Sequence, residues 1–103
     1  YGYITALSTD VTDGTEDGEL QFYTMKNGAL VRTLTLQSGN TGIGTADPTE
    51  ALDVNSDAIR VRSSQTPTGP TAAGTKGMIC WDSDYIYVCV DTNTWKRTAI
   101  STW

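Results

Sequence analysis

The tripeptide Lys26-Asn27-Gly28 stands between two runs of alternating apolar and polar residues, Glu19 to Met25 and Ala29 to Leu36. Asn and Gly both tolerate the positive φ that a tight reversal between twisted strands requires. A β-hairpin is expected here, with Leu20 and Phe22 on one face, Leu34 and Leu36 likewise, and Thr33 and Thr35 opposite. Similar short runs occur elsewhere: Tyr3 to Ser8, with Ile4 and Leu7 on different faces, and Ala58 to Arg62. Met78 to Trp81, Tyr85 to Val90 and Trp95 to Ile100 follow one another closely. The turns Asp82-Ser83-Asp84 and Asp91-Thr92-Asn93-Thr94 leave no room for crossover helices, so these three must pair as an antiparallel meander. The expected fold class is all-β, made of short antiparallel strands and hairpins.

The stretches between the runs divide the chain. Thr9 to Gly18 holds one aliphatic residue among acids and glycines and reads as a solvated loop. In Gly39 to Ser56, glycines 39, 42 and 44 allow a tight reversal and a close backbone approach. Asp47-Pro48-Thr49-Glu50 has the cap, first-turn proline and third-position glutamate of a helix start. That helix is expected to last about a turn, because Leu52-Asp53-Val54 already alternates like a strand. Ser63 to Gly77 carries two of the three prolines and no large apolar residue, as a linker would. The expected organisation is a β segment over 1–62, a linker over 63–77 and a meander over 78–103.

Leu, Ile, Val and Phe make up 19 of the 103 residues, just under the roughly 20% below which disorder competes with folding. Three Trp and five Tyr argue for a folded chain, one that shares its core with neighbours. The net charge of -5 disfavours nucleic acid, whose affinity comes from Lys and Arg releasing counterions. No run of about 18 apolar residues offers a membrane span, and no basic segment followed by an apolar one marks a signal peptide, so a soluble chain is expected. A chain starting at Tyr1 rather than Met is expected to be a piece of something longer. The absence of His removes Ser-His and Cys-His nucleophiles and His-ligated zinc.

The acidic loop with Asp10, Asp13, Glu16, Asp17 and Glu19 lacks the spacing of an EF-hand and reads as a turn rather than a calcium site. Thr41 to Thr45, TGIGT, lacks the Lys-Ser or Lys-Thr of a phosphate-binding loop and reads as a structural turn. Cys80 would lie opposite Tyr87 or Ile86, leaving Cys89 a diagonal neighbour, so two buried free thiols are favoured over a disulfide. The aromatic set Trp81, Tyr85, Tyr87, Trp95 and Trp103 supplies either a core or subunit interface, or a platform for stacking on a ligand. Asp82 and Asp84 sit on a tight turn and read as turn formers rather than a glycoside-cleaving pair.

Gly42, Ile43, Gly44, Thr45, Pro48, Leu52 and Val54 fill a G-I-G-T-x-x-P-x-x-x-L-x-V pattern that resembles a recurring segment of tailed-phage tail fibres and other virion fibres. The C-terminal stretch, with Gly77, Trp81, Asp82, Tyr85, Tyr87, Val88, Trp95, Lys96 and Arg97, is similar to the end module of viral fibre and phage structural proteins. The resemblance covers about Asp10 to Trp103. It implies an intertwined homotrimeric β fibre segment ending in a meander tip, located in the virion as a tail or capsid fibre. Its trimer core would take in Phe22, Leu34, Leu36, Ile43, Leu52, Val54 and Trp81. Receptor contact would fall to Tyr85, Tyr87, Trp95, Asp82 and Asp84, because loop tips on a rigid β scaffold carry binding most often. The implied partners are other virion proteins and a host surface glycan or protein, with no nucleic acid and no membrane insertion. The expected protein is not an enzyme, and has no catalytic residues, metal or cofactor. The alternatives are a polysaccharide-degrading tailspike-type enzyme, with two carboxylates about 5 to 9 Å apart in an aromatic groove, and a capsid or tail connector without a receptor.

Overall fold

The computed structural model describes residues Tyr1 to Trp103 and contains eight strands and no helix. The chain is all-β, and it divides into two compact units, Tyr1–Ile59 and Arg60–Trp103.

The first unit is one five-stranded sheet in chain order: β1 (Gly2–Asp10), β2 (Asp17–Lys26), β3 (Ala29–Gln37), β4 (Asn40–Ile43) and β5 (Leu52–Val54). The β2–β3 reversal falls where expected, with Asn27 at φ 50° and Gly28 at φ 80°. Ser38 (φ 51°) and Gly39 (φ 80°) make a second reversal of the same kind between β3 and β4. The strands are antiparallel except that β4 and β5 run parallel. The short helix expected from Asp47 is absent. The Asp53 carboxylate accepts from the Thr49 N–H at 3.0 Å, and Asn40 Nδ2 donates to the Pro48 carbonyl at 3.1 Å. With Leu52–Val54 drawn into the sheet, no room is left for a helical turn.

Register explains the unusual distribution of polarity. Ile4, Phe22, Leu34, Ile43 and Val54 are successive cross-strand partners and form an apolar row across all five strands. A second row runs Ala6, Leu20, Leu36, Thr41, Leu52 on the same face. The opposite face carries Thr5, Gln21, Thr35, Gly42 and Asp53. A bulge between Phe22 and Tyr23 leaves Thr33 without a cross-strand partner. The Thr33 hydroxyl lies 2.7 Å from that of Thr24, so Thr33 departs from the expected alternation while Thr35 keeps it.

It is the polar face that the chain covers. Residues 44–50 fold back over it, and the Thr35 hydroxyl donates to the Thr45 carbonyl at 2.9 Å. A Cβ on Gly42 would lie 2.8 Å from Thr45 Cγ2 and 3.2 Å from Pro48 Cβ, so glycine at 42 lets this loop lie against the sheet. Gln21 and Thr35 are buried beneath it at 4% and 0% exposure, and no buried side-chain polar atom lacks a partner. Beside them Arg32 pairs with Glu19 at 2.6 Å and donates to the Tyr23 hydroxyl. Nothing in the unit covers the apolar face, where Ile4 is 65% exposed and Leu52 61%.

The second unit is a meander of β6 (Ile79–Trp81), β7 (Tyr85–Asp91) and β8 (Thr94–Ala99). Ala58 to Arg62, expected as a strand, is not one; it has no neighbouring strand to pair with, although Trp81 Nε1–H donates to the Val61 carbonyl at 2.8 Å. Residues 63–77, read from composition as a linker, belong to this unit. Their backbone meets the meander at several points: the Trp95 N–H donates to the Pro70 carbonyl, Trp95 Nε1–H to the Ala72 carbonyl, and the Asn93 N–H to the Gly74 carbonyl. Beneath this cover lies a core of Cys80, Tyr87, Cys89 and Trp95. Cys80 is the cross-strand partner of Tyr87 and Cys89 of Trp95, and both thiols are free.

Candidate functional site

The side chains with the richest chemistry gather on the covered face of the meander. Tyr85, Tyr87, Cys89, Trp95 and Arg97 share that face by strand alternation and register. The β6–β7 reversal is organised by Asp82. One of its oxygens accepts from the backbone N–H groups of Asp84 and Tyr85, both at 2.9 Å. The other accepts from the Thr66 hydroxyl at 2.7 Å and the Tyr87 hydroxyl at 2.6 Å. These four donors, the Tyr87 hydroxyl foremost, hold the Asp82 carboxyl well below the usual carboxylate range. The same bond pushes the Tyr87 phenol up.

A carboxylate held this way accepts hydrogen bonds and stays charged. A general acid in glycoside cleavage needs the reverse, a pKa raised toward working pH. Asp84 lies on the exposed side of the turn, where its carboxylate meets Ser83 Oγ at 3.2 Å. Cys80 is no better placed for chemistry, since burial pushes its thiol up and keeps it neutral.

A pocket of about 240 Å³ opens beside the buried aromatics, lined by Pro67, Gly69, Pro70, Tyr87, Trp95, Lys96 and Arg97. The Arg97 guanidinium lies over the Tyr85 ring, with Cζ 3.9 Å from its centroid, a cation–π contact that fixes its plane. Of the residues expected to contact a receptor, Asp82, Tyr85 and Tyr87 are brought together around this turn. Trp95 is 6% exposed and Tyr87 4%, so they form floor rather than platform. Lys96, Arg97 and the two prolines were not singled out as site residues from sequence. The signal available was two adjacent cations one position after the Trp.

Six of the residues expected in a trimer core, Phe22, Leu34, Leu36, Ile43, Leu52 and Val54, lie together on the open apolar face of the first unit. The seventh, Trp81, is in the second unit and 37% exposed. In the acidic loop, the Asp10 carboxylate accepts from the Thr12 N–H at 2.8 Å and that of Glu16 from the Gly14 N–H at 3.0 Å. The Thr12 N–H foremost holds the Asp10 carboxyl low, and the backbone N–H groups of Glu16 itself and then Gly14 do so for Glu16; no three acidic side chains converge there.

The chain is all-β, with an uncovered sheet face in its first unit and a small basic pocket in its second. The relatives it matches are phage proteins. Over 58 residues, 56% of the chain, it is 41% identical to "Depolymerase, capsule K30/K69-specific" of Klebsiella phage K64-1. Over 57 residues, 55% of the chain, it is 42% identical to "Depolymerase 1, capsule K30/K69-specific" of Klebsiella phage K5-2. The matched stretch spans 7% of the length of each. No protein-family model and no solved structure matches the chain.

These relatives overturn the expectation of a protein that is not an enzyme. They are named as depolymerases, and a depolymerase is an enzyme. The expectation leaned on the absence of His, but sugar-chain cleavage can run on carboxylates alone, so a His-free segment is no argument against it.

Proposed function

We propose that the chain is a segment of a phage tail-associated depolymerase that cuts a bacterial capsule polysaccharide, and that it assembles as a homotrimer in the virion. The observation that carries this reading is the identity of about two residues in five with two capsule-specific depolymerases across more than half the chain. The cleavage chemistry is a property of the whole protein, and contact with capsule also accounts for host attachment.

The trimer is supported by the first unit. Burying a Leu, Ile or Phe side chain contributes about 1.5–3 kcal/mol, and two rows of such residues face outward here without a covering layer. Monomers rarely leave an apolar patch of more than a few hundred Å² exposed. Identical neighbours laid on this face would supply the missing layer, as the fibre resemblance implies.

Incubating the full-length protein that carries this chain with purified Klebsiella K30 and K69 capsule polysaccharide, and with a capsule of another type, tests the reading. A fall in viscosity and release of oligosaccharides from K30 and K69 material is expected. No change in chain length with any capsule would remove the depolymerase reading.

A further inference from the structure

Charge is unevenly divided between the units. Residues 1–59 hold nine carboxylates and two cations, a net of -7, while residues 60–103 hold three carboxylates and five cations, a net of +2. Within the second unit, Lys96 and Arg97 both line the pocket and no acidic side chain does. The one ion pair of the chain is Arg32 with Glu19, so the Arg97 guanidinium has no carboxylate partner. Asp82 shares the Tyr87 hydroxyl with Arg97, yet its oxygens are taken by Thr66, Tyr87 and two backbone N–H groups.

Arg97 is also held ready. Its plane rests on Tyr85 and it adjoins the Tyr87 hydroxyl, and a guanidinium carries more N–H donors than that one hydroxyl takes up, so others are left to hydrogen-bond a planar anion. The opposite wall is fixed, since the Pro70 and Ala72 carbonyls accept from the backbone and indole N–H of Trp95. A pocket that needs no rearrangement keeps the ordering cost of binding low. Its volume of about 240 Å³ is below the roughly 300–1,000 Å³ of sites for drug-sized ligands and suits one monosaccharide unit. Because Trp95 and Tyr87 are nearly buried, a neutral sugar finds no open ring to stack on. Charge must supply the selectivity, with Pro67 and Pro70 against the apolar side of the sugar ring.

We propose that this pocket binds a carboxylate-bearing sugar of an acidic polysaccharide, with the carboxylate paired to Arg97 and Lys96 adding positive potential at the wall. The proposal rests on the depolymerase reading for its polysaccharide, and on the pocket alone for its preference for an acid.

The test uses the full-length protein and two probes: a glucuronate–N-acetylglucosamine tetrasaccharide and the same tetrasaccharide with its carboxyl groups reduced to alcohols. Calorimetric titration at about 50 mM salt is expected to show the acidic probe binding at least tenfold more tightly, with an affinity that falls as salt rises. Arg97→Ala is expected to bring the acidic probe down to the level of the reduced one. Lys26→Ala, in the first unit, leaves both unchanged. Should Arg97→Ala disturb the fold through Tyr85, Lys96→Ala and the salt dependence in the unaltered protein carry the decision. Equal binding of the two probes, binding of neither, or acidic binding indifferent to salt and to both substitutions overturns the pocket. Capsule cleavage by the same preparation separates the two readings: cleavage without acid preference removes the pocket alone. Absence of cleavage removes the depolymerase reading and leaves the titration to decide the pocket.

Discussion

The two units solve the same shortage of aliphatic residues in opposite ways. The second spends its aromatics inward: Tyr87 and Trp95, with two cysteines, fill a small core that residues 63–77 close over. The first turns its apolar rows outward and buries Gln21 and Thr35 under its own loop. A buried polar layer stays stable only when every group is paired, and here each is. Such a layer contributes little hydrophobic free energy, and the first unit leaves its apolar rows open to a covering surface. The second unit closes its core with its own residues 63–77.

The largest expected effect lies in the self-contained core. Trp95→Ala removes the ring over which Gly74 closes, and truncating a buried Trp costs about 3–5 kcal/mol. Urea unfolding followed by hydrogen exchange should show protection lost in β7 and β8 and retained in β2 and β3. Loss across both units together would show that the first leans on the second.

Packing at the cover comes next. A Cβ on Gly74 would lie 2.6 Å from Trp95 Cζ2, and overpacking of this kind costs about 1–3 kcal/mol. Gly69 has nothing within 4 Å of its added Cβ, so Gly69→Ala should leave the melting temperature nearly unchanged while Gly74→Ala lowers it. A similar response at both sites would mean that the cover is looser than its hydrogen bonds suggest.

How much of this was legible in the sequence follows from the range over which each feature is determined. The Asn27-Gly28 hairpin and the 78–103 meander are set by adjacent residues, and the alternation that puts Leu20, Phe22, Leu34 and Leu36 on one face is local too. The Ser38-Gly39 reversal was less visible because Ser adopts positive φ far less often than Asn. The parallel β4–β5 pair was not legible. Parallel strands ordinarily need a crossover of a dozen or more residues, and here residues 44–51 suffice because β5 is three residues long. Nor could alternation show which face would be covered, since burial of Gln21 and Thr35 depends on a loop that begins nine residues after Thr35. At the candidate site, the Asp82 turn follows from strand pattern, but the burial of Tyr87 and Trp95, expected as receptor contacts, does not, because it depends on residues 63–77 closing over them. The pocket does not, because its prolines come from a stretch whose composition signals only a loop.

A smaller effect follows from Asp82. Its carboxyl is held below its ordinary value in the folded chain, so the stability it contributes is present above about pH 3.9, the usual Asp value. That contribution is lost as pH falls below this point toward the depressed folded value. The Tyr87 and Trp95 signals of the second unit should therefore melt at lower temperature at pH 2.5 than at pH 5. Asp82→Asn should flatten that difference. Asp10 and Glu16 are also held low, so some acid sensitivity is expected in the first unit and must be read separately, from Tyr3 and Tyr23.

The smallest effect on a single chain, and the sharpest on the contrast between the units, is expected from a charge placed on the open face. Leu52 is 61% exposed and Ile43 44%, and substitutions at sites this open usually change stability by no more than about 0.5 kcal/mol. Leu52→Lys and Ile43→Lys should therefore leave the isolated fold intact. In an assembly of three copies each change places a cation in every interface, where burying an unpaired charge costs several kcal/mol, and repeats it by symmetry. Light scattering at micromolar concentration should thus report three chains for the unaltered protein and one for the variants. Val11→Lys, the same added charge at a residue 81% exposed on the acidic loop, should keep the trimer. A single-chain mass for the unaltered protein would mean that the outward rows of the first unit are matched to some other surface than their own copies.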